Sequence, residues 1–210
     1  MISRQVAEAL LEIKAVSIVG EDQLFTWVSG IKSPVYCDNR MTISFPKVRD
    51  LIANGFADRI REKYKEVDVI AGTATAGIPH AAWVAQILDL PMVYVRSNPK
   101  GHGKGKQIEG YLKPGSKVVL IEDLLSTGGS SMKACEALIE EGADVLSVLA
   151  IFSYNFAQVD EIFNEKGVLF DTLTDYKTLL PIAVEKNYVD ESSKETLLKW
   201  SDNPKMFTEA

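Results

Sequence analysis

Val6, Ala9, Leu10, Ile13 and Val16 recur at helical spacing, which predicts an amphipathic helix over residues 3–17. The next stretch, FTWVSGIKSPVYCDNR (25–40), has β-rich runs interrupted by Gly30 and Pro34 and reads as a strand pair. A helical pattern returns over 45–64, with Ser44 as its cap and Pro46 in the first turn. From there short apolar runs alternate with helical ones. Strands are expected at 67–72, 91–96, 117–122, 144–153 and 168–173, and helices at 78–90, 131–143 (stopped by Gly142) and 157–167. Residues 190–200 read as one more surface helix. Apolar strands alternating with helices imply an α/β fold: a mostly parallel sheet covered on both faces. The expectation is one domain over 1–210, with an N-terminal elaboration over about residues 1–40.

In such sheets ligands gather beyond the carboxyl ends of the strands. Three strand ends carry unusual sequences. The most informative is VVLIEDLLSTGGSS (118–131), in which Glu122 and Asp123 precede a turn of Ser126, Thr127, Gly128, Gly129, Ser130 and Ser131. Glycines let backbone N–H groups face a ligand, hydroxyls add donors, and the following helix favours an anion at its N-terminus. That is a site for one phosphate, yet neither the Walker A pattern nor G-x-G-x-x-G is present. The two acids would repel a phosphate. They suit the hydroxyls of a nearby sugar, or a Mg²⁺ that neutralises a second phosphate. A ribose carrying a 5-phosphate satisfies both halves. The plainer reading is a helix cap preceded by exposed acids.

The second strand end, RSNPKGHGKGKQIEG (96–110), is cationic and glycine-rich, with Arg96, Lys100, His102, Lys104 and Lys106. It suggests a polyanionic ligand and a loop that closes over it; the alternative is a solvated loop with ordinary surface lysines. The third, AGTATAGIP (71–79), is small and hydroxyl-rich, fit for close backbone approach to a ligand or simply for a tight turn. His80, in an apolar helical pattern, reads as structural.

Composition narrows the class of partner. The 210 residues are 46% apolar and 25% charged, with a net charge of −6. That balance speaks against broad nucleic-acid binding, and the apolar stretches are too short and too broken by charge to span a bilayer. The start of the chain shows no cleavable signal pattern. Cys37 and Cys135 fall in different elements, so no disulfide framework is expected and a reducing cytoplasm fits.

VVLIEDLLSTGG resembles the 5-phosphoribosyl-1-diphosphate (PRPP) signature of type I phosphoribosyltransferases. RSNPKGHGKGKQIEGYLKPGSKVVLIED resembles the catalytic loop and following strand of the orotate phosphoribosyltransferases, and FTWVSGIKSPVYCDNR resembles their N-terminal substrate hood. The resemblance implies transfer of a phosphoribosyl group from PRPP to orotate, giving orotidine 5′-monophosphate and pyrophosphate in pyrimidine biosynthesis. It implies Mg²⁺ carried by PRPP, and a homodimer whose loops complete each other's sites.

Residue by residue, Glu122 and Asp123 match the acids that hold the ribose hydroxyls, Asp123 counted as catalytic. Ser126, Thr127, Gly128, Gly129 and Ser130 match the 5-phosphate loop, with Leu124 and Leu125 in the same PRPP-binding stretch. Arg96, Lys100 and His102 match residues around the pyrophosphate, the last two catalytic. Lys32, Tyr36 and Cys37, with Ser126, fall near orotate. Departures occur at Val28, Thr75-Ala76, Ser97 and Asn155, where some members carry other residues, several of them cationic; the orotate and pyrophosphate contacts therefore stay open. Rival readings are a transferase for another nucleobase, a PRPP-sensing regulator, and a binding module without turnover.

Overall fold

The computed structural model describes residues 1–20, 23–27, 30–98 and 107–208. Its centre is a six-stranded sheet of β5 (Val69–Thr73), β6 (Met92–Val95), β7 (Ile108–Glu109), β8 (Lys117–Leu125), β9 (Asp144–Ser153) and β10 (Phe170–Asp175). Across the sheet the order is β10-β9-β8-β5-β6-β7. All neighbours run parallel except β7, which is antiparallel to β6. The two-residue side-chain period of the strands splits the core. Ile70, Val119, Ile121, Leu149 and Ile151 join one apolar cluster; Ala71, Val118, Leu120, Val148 and Ala150 join the other.

The first cluster is covered by α1 (Ile2–Glu12), α2 (Pro46–Lys63), α3 (Gly77–Leu88), α6 (Tyr176–Glu185) and α7 (Lys194–Asp202). The second lies under α4 (Gly129–Glu140) and α5 (Ala157–Lys166). Burial on both faces is why β5 reads as an unbroken apolar run, with every position buried.

Four expectations need correcting. The first helix stops at Glu12, five residues early; Lys14 takes a left-handed backbone (φ 57°) and Val16–Ile18 becomes strand β1. That strand pairs antiparallel with β4 (Val35–Cys37), Val16 opposite Cys37, so ladder bonds outweigh one more helical turn. In the 25–40 stretch only β2 (Phe25–Thr26) and β3 (Lys32–Ser33) pair with each other; β4, beyond Pro34, belongs to β1. Ser44 does not cap α2. It ends a 3-10 helix (Asn39–Ser44), whose own cap is Asp38 accepting from the Arg40 N–H at 3.2 Å. The final helix is less superficial than its sequence suggests: Leu197 and Trp200 are buried.

Helix α6 escaped the sequence reading. Pro181 lies inside it and interrupts the helical pattern, yet Asp175 caps it by accepting from the Thr178 N–H at 2.8 Å. Leu179, Leu180, Ile182 and Ala183 bury its inner face against α1 and β10.

Candidate active site

Strand β8 delivers Glu122 and Asp123 at its carboxyl end, and residues 126–128 turn the chain into α4. Gly128 makes that turn possible. Its φ of 80° lies in the left-handed region, and a Cβ there would stand 3.2 Å from the Phe163 ring. Gly129 has nothing within 4 Å of an added Cβ, so its side of the turn is open. No side chain caps α4, which leaves its first N–H groups for a ligand.

The acids are not the exposed pair of the plainer reading. Glu122 is only 5% exposed; one carboxylate oxygen accepts from the Asp123 N–H at 3.0 Å, the other from the Ser131 hydroxyl at 2.9 Å. Burial first, and then the neighbouring Asp123 carboxyl, raise its pKa well above the usual carboxylate range. Burial raises Asp123 too. Burial thus disfavours the charged form of both acids, and a positive charge beside them would favour it. The backbone carbonyl of Asp123 accepts from the Asn39 side-chain amide at 2.6 Å.

Two clefts flank this segment. The larger, about 420 Å³, is lined by Thr26, Trp27, Tyr36, Cys37, Leu124, Ser126 and Tyr154. Its walls are aromatic: the Trp27 and Tyr154 ring centroids are 4.9 Å apart, and Phe156 stacks behind Tyr154 at 5.4 Å. Such walls suit a flat heterocycle. The smaller, about 220 Å³, is lined by Thr73, Ala74, Arg96, Ser97, Gln107, Ser130, Lys133 and Ala134. It is cationic and hydroxyl-rich, and the Thr73 hydroxyl is buried there without a partner in the protein. Arg96 is steadied by Glu109 on β7, 3.2 Å from its guanidinium, while Gln107 donates to the Arg96 carbonyl at 2.7 Å. The Ala74–Thr75 peptide beside this cleft is cis. A third cavity, about 340 Å³ between Asp68 and Ser116, opens at the amino ends of β5 and β8, away from both acids.

The fold thus gathers Tyr36, Cys37, Leu124 and Ser126 around one cleft, and Arg96 and Ser130 around the other. Thr127 sits in the turn between. Leu125 is fully buried, so its side chain supports the turn from below. Lys32 is exposed on β3 and is not among the residues that line the aromatic cleft. Cys37 is a wall and not a reagent: its thiol donates to the Asn39 side-chain amide oxygen at 3.3 Å, and burial pushes its pKa up. Lys100 and His102 lie outside the described residues, as does Val28.

Sequence reasoning missed Trp27 and Tyr154 as cleft walls, Asn39, and Lys133. Tyr154 had a usable signal, since it directly follows β9 and the carboxyl ends of strands carry the ligand. Among the described residues no group of three or more His, Cys, Asp or Glu could hold a metal alone. Glu122 and Asp123 still fit a Mg²⁺ that keeps most of its shell from water and substrate phosphates.

A family model described as a phosphoribosyl transferase domain matches residues 44–172. The orotate phosphoribosyltransferase of Listeria monocytogenes (serotype 4b) is 58% identical over 203 residues, 97% of each chain. That of Fusobacterium nucleatum is 54% identical over 204 residues, again 97% of each. Among solved structures, Leishmania donovani UMP synthase superposes with a TM-score of 0.80 at 29% identity, covering 95% of this chain and 42% of that one. Aeropyrum pernix orotate phosphoribosyltransferase gives 0.75 at 29% identity, covering 84% and 97%.

Proposed function

The chain belongs to the phosphoribosyltransferases, in their orotate branch, and from that premise we propose how its residues divide the reaction. Its activity is transfer of the 5-phosphoribosyl group from PRPP to orotate, yielding orotidine 5′-monophosphate and pyrophosphate in pyrimidine biosynthesis. The C1–O bond of the ribose breaks and its electron pair leaves with pyrophosphate. Orotate N1 supplies the pair for the new C1–N bond and gives up its proton.

One observation carries the division of labour: two separate clefts meet the Glu122–Ser130 segment, an aromatic one at Leu124 and Ser126 and a cationic one at Ser130. Orotate occupies the first, between Trp27, Tyr36 and Tyr154, with Ser126 at its edge. The diphosphate occupies the second, against Arg96, the Thr73 hydroxyl and Ser130. The backbone of 126–130 anchors the 5-phosphate, so C1 lies between the two clefts. The Glu122 and Asp123 carboxylates bind the ribose hydroxyls and face the positive charge that grows on the sugar as pyrophosphate departs. No protein nucleophile is needed. When bound with PRPP, Mg²⁺ would neutralise diphosphate charge, and Glu122 and Asp123 are the residues that would help hold it.

Lys100 and His102 are assigned to the departing pyrophosphate on the resemblance of their segment, in a homodimer where each loop completes the partner's site. The cytoplasm suits the two free, buried cysteines; among the described residues no helix is long and apolar enough to cross a membrane.

The test follows orotate absorbance with PRPP and Mg²⁺, beside uracil, adenine and hypoxanthine. PRPP-dependent loss of orotate, with pyrophosphate released in equal amount, is expected. Turnover confined to another base would discard the assignment of the aromatic cleft to orotate.

A further inference from the structure

Asn39, Thr42 and His80 form a polar chain inside an otherwise apolar region; they are 1%, 0% and 0% exposed. Buried polar groups are costly unless paired, so each bond in the chain has a direction worth settling. The Asn39 side chain sits 2.6 Å from the Asp123 carbonyl oxygen. A carbonyl can only accept, which fixes the amide with its NH₂ toward Asp123 and its oxygen toward the Cys37 thiol at 3.3 Å. The Thr42 hydroxyl donates to the Asn39 main-chain carbonyl at 2.5 Å and has no second proton. His80 Nε2, 3.2 Å from that hydroxyl, must therefore carry the hydrogen. The other ring nitrogen has no partner, consistent with a neutral imidazole whose pKa burial lowers to about 4.

The place where this chain ends is informative. Strand β5 pairs with β8 only as far as Ile121, whereas β9 accompanies β8 to Leu125. Past Ile121 the β5 side of β8 loses its ladder, two residues before Asp123. The Asn39 amide supplies a donor there. It comes from the segment that also walls the aromatic cleft: Cys37 lines that cleft, and its N–H donates to the Tyr154 hydroxyl at 3.0 Å. His80 belongs to α3, which begins at Gly77, shortly after Thr73 and Ala74 of the cationic cleft. One hydrogen-bonded path thus joins a wall of the aromatic cleft, Cys37, to the backbone of Asp123.

We infer that Asn39 is a positioning residue: it fixes the Asp123 peptide, and with it the direction of the Asp123 carboxylate, while Thr42 and His80 hold Asn39 in place. The inference rests on the assignment of Asp123 to the ribose. A side chain that works through Asp123 loses its influence once that carboxylate is gone, which a merely structural side chain does not.

A double-mutant cycle reads this difference. Asn39→Ala is measured in the parent and in Asp123→Asn, following kcat/KM for orotate, the Kd of PRPP and thermal melting. In the parent, Asn39→Ala is expected to lower kcat/KM about ten- to a hundredfold, the scale of a displaced catalytic group. In the Asp123→Asn background the same change should cost less than about threefold, in turnover or in PRPP affinity, because the losses overlap. Equal losses in both backgrounds overturn the inference and leave Asn39 a packing residue. Should Asn39→Ala melt below the assay temperature, Thr42→Val replaces it: a severalfold loss seen only with Asp123 present is expected, and an unchanged or background-independent rate overturns the proposal. A parent inactive toward orotate would sink the functional reading instead, and the parallel assay of the parent tells the two failures apart.

Discussion

Each carboxylate oxygen of Glu122 already accepts one bond from the protein, from the Asp123 N–H and the Ser131 hydroxyl. Its pKa is raised above the ordinary 4.5, so the folded chain keeps a proton that the unfolded chain has released. The stability linked to that proton is complete below pH 4.5 and is lost as pH rises through the folded value. Glu122→Gln should therefore melt higher than the parent at pH 8 and show little advantage at pH 4, while turnover falls; a melting profile against pH checks the sign. His80 works in the opposite sense. Its folded pKa is about 4 against an ordinary 6.5, so stability is lost as pH falls between these values, by about 3 kcal/mol at most. His80→Gln keeps a donor for Thr42 and should flatten that acid limb. Asp123→Asn is expected to lower kcat about 10²- to 10³-fold with melting little changed, the scale of removing one group that stabilises developing charge. The strand end with Glu122 and Asp123 and the glycine turn after it were legible in sequence because they are contiguous on one strand and its turn. Asn39 and Tyr154 were not, because partners 84 and 117 residues apart bring them to the site.

The turn between β8 and α4 distinguishes two adjacent glycines. Gly128→Ala puts a Cβ into left-handed backbone and 3.2 Å from Phe163, so about 1–2 kcal/mol of stability should be lost along with PRPP binding. Gly129→Ala meets nothing within 4 Å. Its melting temperature should hold or rise slightly, while its methyl group occupies phosphate space and raises the KM for PRPP. Calorimetric melting and PRPP titration of the two variants separate these outcomes. Elements were readable wherever one period held for their whole length, as in β5, β8 and β9. They were misread where a tertiary partner decided. Val16 keeps the helical spacing of its predecessors but pairs with Cys37, and Pro181 masks a helix that its cap and its buried face sustain.

At the scale of the whole molecule, distant parts of the chain meet at the aromatic cleft. Trp200, fully buried on α7, sits edge-on to Trp27 at 5.9 Å and to Tyr154 at 5.9 Å, and the Lys32 N–H donates to the Thr208 hydroxyl at 3.0 Å. Trp200→Ala should cost about 3–5 kcal/mol and raise the KM for orotate more than that for PRPP, since the phosphate turn lies on the opposite face of the sheet from α7. Denaturant melts and separate KM values decide it. The sequence showed the sheet and its ligand-bearing edge, but not this closure, because apolar spacing in residues 190–200 says that a helix has an inner face without saying what that face meets. The contact between Lys32 and Thr208 also has a consequence in time. The two residues are 176 positions apart, so at about 5–20 residues per second a ribosome delivers the second about 9–35 seconds after the first. In the later part of that interval, once residue 130 has been made, the nascent chain can hold the proposed phosphate turn but lacks Trp200 behind the walls of the aromatic cleft. Ribosome-stalled chains ending before Lys194 should thus capture PRPP and let orotate go.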